Sequence, residues 1–66
     1  MTDWLIAQLA YDRVRKVLRQ DGLSTDQCEA WIDRACMQMM GKGFKYLQSD
    51  KHFALHLERA INGNLL

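Results

Sequence analysis

Residues 3–20 read DWLIAQLAYDRVRKVLRQ, and this stretch decides the fold. Trp4, Ala7, Ala10, Tyr11, Val14, Val17 and Leu18 recur at helical spacing on one arc, with Ile6 at its edge. Arg13, Arg15, Lys16 and Arg19 stay off that arc, so the segment reads as an amphipathic helix with one oily face. Thr2 suits the N-cap, Asp3 the first turn and Arg19 the last. Gly22 is placed to close the helix in a left-handed turn.

Working outward, Ser24 with Gln27 three residues later matches a capping box, in which each side chain satisfies a backbone amide of the other residue. Leu23 and Cys28 fit the accompanying hydrophobic staple. A second helix is expected over about 25–40, with Cys28, Trp31, Ile32, Ala35, Cys36, Met39 and Met40 on its apolar face. Met39 and Met40 are expected to fill the core, the alternative being a flexible, polarizable surface of Met37, Met39 and Met40 for an adaptable partner. Gly41 and Gly43 stop this helix.

A third helix is expected over about 50–61, capped by Ser49-Asp50 and ended by Asn62-Gly63. Phe53, Ala54, Leu57, Ala60 and Ile61 form its buried face. Tyr46 and Leu47 continue that stripe backwards, so one helix from Phe44 to Ile61 competes with a short turn at 44–48 followed by a break. The broken version is expected. With no proline, repeat or linker, the chain is a single all-α domain of three main helices whose short links make sequential neighbours roughly antiparallel.

Sixty-six residues leave no room for a second domain. Chains below about 70–80 residues often need a disulfide, a metal or a partner to reinforce a small core. A bond between Cys28 and Cys36 is not expected. Eight residues apart on one helix, their backbones are about 12 Å apart, and a disulfide spans at most about 7 Å. No secretory leader or run of about 20 apolar residues is visible, so a reducing cytoplasm and no membrane partner are expected.

The net charge of +1 is too balanced for a strongly basic polyanion binder. Its layout is uneven: residues 1–20 carry +2, residues 21–40 carry −3 and residues 41–66 carry +2. The first expectation is that the acidic middle helix neutralises its basic neighbours.

Chemistry-bearing constellations are sparse. His52 and His56 stand four apart, a spacing at which two imidazoles reach one metal ion, but no third ligand or H-E-x-x-H pattern accompanies them. Both cysteines sit among apolar residues, where a thiol behaves as an inert small hydrophobe. Glu29 and Asp33 read as a solvated face. No enzyme activity, cofactor or metal is expected.

More apolar side chains are present than one small core needs. Leu5 and Leu9 lie opposite the Tyr11–Leu18 stripe, and Met37 and Leu55 are displaced from their own apolar faces. With Trp4 and the terminal Leu65-Leu66, they point to association. The expected function is a small regulatory or adaptor protein acting by protein–protein contact and self-associating as a homodimer, of the kind that phage and plasmid accessory proteins provide by analogy. Trp4, Leu5 and Leu9 would form the interface core, and Asp26, Glu29 and Asp33 an acidic stripe toward a basic partner. The alternative is a nucleic-acid-binding regulator. It would contact phosphates through Arg13, Arg15, Lys16 and Arg19 and through Lys42 and Lys45 at the Gly41–Tyr46 joint.

Overall fold

In the computed structural model, which describes residues 2–63, the chain forms four helices: α1 (Asp3–Gln20), α2 (Thr25–Met40), α3 (Phe44–Leu47) and α4 (Lys51–Gly63). The all-α fold is as expected, with the break between α3 and α4 in place. The terminal Leu65-Leu66 lies outside the described residues.

Local chemistry sets the boundaries. Thr2 accepts a hydrogen bond from the amide of Leu5 at 3.3 Å and so caps α1. At the other end the Leu23 amide donates to the Leu18 carbonyl at 3.2 Å and the Gly22 amide to that of Arg19 at 2.9 Å. These paired bonds are a Schellman closure, and Gly22 sits at φ +96°, where a Cβ would be strained. Both bonds of the Ser24–Gln27 capping box form, at 2.8 and 3.2 Å. Gly41, at φ +69°, ends α2 with its amide donating to Met37. Asp50 separates α3 from α4, because its carboxylate accepts the Phe53 amide at 3.0 Å as an N-cap does.

Ion pairs fix the helix directions. Arg15 meets Glu29 and the Arg19 guanidinium donates to Thr25, so α1 and α2 run antiparallel. Asp3 meets Lys51 and Arg13 meets Glu58, so α4 runs in the direction of α1. Of the compensation expected from the acidic middle helix, Arg15–Glu29 is the one ion pair among the described residues; the other two between helices join α1 to α4. Ala7, Ala10 and Ala54 are fully buried, and such small side chains suit the close approach of α1 to α4. Tyr11, Val14, Leu18, Cys28, Ile32, Cys36, Leu47, Phe53, Leu57 and Ile61 complete the core.

The short α3 is tied down by four contacts. The Tyr11 hydroxyl donates to the Leu47 carbonyl at 2.8 Å in a buried setting, and the Tyr11 and Phe44 rings meet edge to face at 4.9 Å. Asp33 accepts the Phe44 amide at 2.8 Å. The Arg15 guanidinium lies over the Phe44 ring at 5.7 Å.

Four expected core positions, Met39, Met40, Ala60 and Trp31, are corrected. Met39 and Met40 are each 46% exposed, because the last turn of α2 carries its apolar stripe beyond the layer that would cover it. Trp4, expected at a partner interface although on the apolar arc, is exposed at the start of α1, since the buried arc begins only at Ala7. Ala60 is exposed on α4, and Trp31 is half-buried at the rim of the core.

Candidate interaction surface

Two faces of α1 divide the work. Ala7, Ala10, Tyr11, Val14 and Leu18 turn inward. Leu5, Leu9, Asp12 and Lys16 recur at i, i+4, i+7 and i+11, which puts them on one stripe opposite the buried arc, and all four are exposed. Leu5 and Leu9 are each 40% exposed, and Trp4, in the first turn of the helix, is 55% exposed. Met37, Met39 and Met40, in the last turn of α2, are exposed as well. Methionine is adaptable and suits a surface that must fit another molecule. Leu55 on α4 and Tyr46 on α3 are exposed elsewhere.

The expected acidic stripe is largely engaged within the domain. Glu29 accepts from Arg15 at 2.7 Å. Asp33 holds the amide of Phe44, close enough that a Cβ on Gly43 would lie 3.2 Å from its Oδ1. Asp26 is exposed in the first turn of α2, where its charge complements the helix N-terminus. Of the three, only Asp26 has no ion pair or side-chain hydrogen bond among the described residues.

The expected basic set is similarly divided. Arg13 pairs with Glu58 at 2.7 Å, and that hydrogen bond raises the guanidinium pKa further. Arg15 bonds both Asp12 and Glu29. Arg19 donates to Thr25 at 2.6 Å. Lys45 lies over its neighbour Tyr46 at 5.0 Å. Lys16 and Lys42 are exposed, and Lys16 joins Asp12, Arg15, Arg19 and Gln20 around a shallow cleft along the second half of α1. A second shallow groove, over the open side of Trp31, is lined by Leu23, Gln27, Ala30 and Arg34.

Titratable groups inside the domain are tuned toward neutrality. Burial pushes the Tyr11 hydroxyl well above its ordinary value, with lesser contributions from Cys36 and Asp50. Burial likewise raises the Cys36 thiol, assisted by the nearby Asp33 carboxylate. Both cysteines are free thiols packed in the core. Among the described residues no group of three or more His, Cys, Asp or Glu is gathered in metal-binding geometry, and no helix is long and apolar enough to cross a membrane.

Two features were missed in the sequence. The exposure of Met39 and Met40 follows from where α2 outruns its neighbours, which periodicity does not report. The Arg15–Phe44–Tyr11 stack joins residues up to 33 positions apart and left no local pattern, although Phe44 beside a glycine joint was a hint. No known protein family, curated protein or solved structure matches this chain.

Proposed function

We propose that this chain is a small non-enzymatic regulatory or adaptor protein that works by protein–protein contact and self-associates through α1. The observation carrying this reading is the outward stripe of Leu5 and Leu9, exposed beside Trp4 on a helix whose other face already supplies the core. Fully burying a leucine contributes about 1.5–3 kcal/mol, so covering the 40% left open on each contributes about 1 kcal/mol. Four leucines across two copies then give about 4 kcal/mol, only the low end of the roughly 4–15 kcal/mol that association costs. The leucines alone do not hold a dimer. Trp4 and further exposed apolar side chains must be covered as well.

The internal pairing of Glu29 and Asp33 shifts the expected charge contribution onto Asp26, with Asp12 and Lys16 beside the leucines as the polar rim. Free, buried cysteines fit a reducing compartment, and we place the protein in the cytoplasm on that ground. The test is sedimentation equilibrium of the full chain over a wide concentration range, beside Leu5→Asp combined with Leu9→Asp. The native protein should reach twice its 7.7 kDa mass, and the double variant should stay monomeric with unchanged helicity. A native chain that remains monomeric at millimolar concentration contradicts the reading.

The cleft bordered by Arg15, Lys16 and Arg19 favours one second reading, a nucleic-acid-binding regulator. The ion pairs that occupy Arg13 and Arg15 weigh against it, because a phosphate must displace a carboxylate already in place. Retention on DNA or RNA that falls steeply with salt would favour this second reading. No retention at low salt would remove it.

A further inference from the structure

We propose that His52 and His56 form a two-imidazole site on the outer face of α4 for a borderline divalent cation, Zn²⁺, Ni²⁺ or Cu²⁺. The helix buries Phe53, Ala54, Leu57 and Ile61, and both histidines lie on its opposite side, exposed. Residues at i and i+4 of a helix have Cβ atoms about 5–6 Å apart. Two imidazoles on that spacing converge on one ion at metal–nitrogen distances of about 2.0–2.1 Å. Water would complete the coordination shell.

Preorganisation comes from the first turn of α4. His52 sits there between two fixed points, the Asp50 carboxylate that accepts the Phe53 amide at 3.0 Å and the Lys51–Asp3 ion pair at 3.0 Å, which ties the turn to α1. None of the described ion pairs uses either imidazole. Imidazole nitrogen selects copper, nickel and zinc over magnesium and calcium, which require oxygen. Cys28 and Cys36 are buried in the core and do not compete as ligands. Arg59, three residues beyond His56, places a positive charge nearby and holds the affinity down.

The site is tested by isothermal titration of the full chain with ZnCl₂, NiCl₂, CuCl₂ and MgCl₂ in a non-chelating buffer, paired with thermal melts. Zinc, nickel and copper should bind with one ion per chain and raise the melting temperature, copper most strongly, and magnesium should do neither. His52→Ala and His56→Ala should each weaken zinc binding by about tenfold or more, since each removes one arm of the chelate. His56→Ala with Ala60→His keeps two imidazoles on exposed positions but sets them eight residues apart, and it should bind as weakly as the single variants. Absence of zinc, nickel and copper binding at millimolar metal overturns the proposal. So does undiminished affinity in the single or the displaced variants.

Discussion

Replacing Tyr11 with phenylalanine isolates one hydrogen bond in the centre of the domain. The ring is fully buried, and Phe keeps its shape and its edge-to-face contact with Phe44. What disappears is the hydroxyl that donates to the Leu47 carbonyl at 2.8 Å. That carbonyl, at the end of α3, keeps its second bond from the Asp50 amide at 3.1 Å, so the loss is the net worth of one hydrogen bond, about 0.5–1.5 kcal/mol. For a domain of this length each kcal/mol shifts the midpoint by about 4–8 °C, so Tyr11→Phe should melt roughly 2–12 °C lower. Urea unfolding followed by far-ultraviolet circular dichroism would give the same loss with an unchanged denaturant slope. Alkaline pH provides an independent check. Burial raises the Tyr11 pKa above its ordinary 10.0, so the unfolded chain releases this proton first as pH rises. The contribution is therefore intact below about pH 10 and lost above it. Cys36, raised from 9.0 by burial, adds a loss that begins about one pH unit lower and persists in the variant. Native stability should thus fall more steeply above pH 10 than that of Tyr11→Phe. A variant within about 0.5 kcal/mol of the native protein, with the same alkaline slope, would refute this account of α3.

Trp31→Ala should cost about 2 kcal/mol in the same urea assay, below the roughly 3–5 kcal/mol of a fully buried tryptophan, because Trp31 lies at the rim of the core. A loss above 4 kcal/mol would mean that its open side is covered in solution. Asp33→Ala removes the acceptor of the Phe44 amide and should destabilise by about 1 kcal/mol, with faster hydrogen exchange at Phe44 and Tyr46. Unaltered exchange at Phe44 would show that Asp33 does not hold α3.

The features legible in the sequence are those set within a few residues. The Ser24–Gln27 box, the Thr2 cap and the glycine turns at Gly22 and Gly41 depend on neighbours up to five positions away, and each forms as the residue types dictate. Helical phase also placed Leu5 and Leu9 outside, since their angle on α1 does not depend on what packs there. The same phase misassigned Met39, Met40 and Ala60. Phase states which way a side chain points but not whether a neighbouring helix extends far enough to cover it. The internal use of Glu29 and Asp33 was hidden for a related reason, because their partners Arg15 and Phe44 become adjacent only after α1, α2 and α3 have packed.

The reading that α1 is covered by a second copy can be examined at the atoms concerned. In an equimolar mixture of ¹³C-labelled and unlabelled protein at millimolar concentration, an isotope-filtered NOE experiment detects only contacts between different molecules. The account predicts intermolecular cross-peaks from the methyl groups of Leu5 and Leu9 and from the Trp4 ring. A spectrum with no such peaks from these three residues would contradict it.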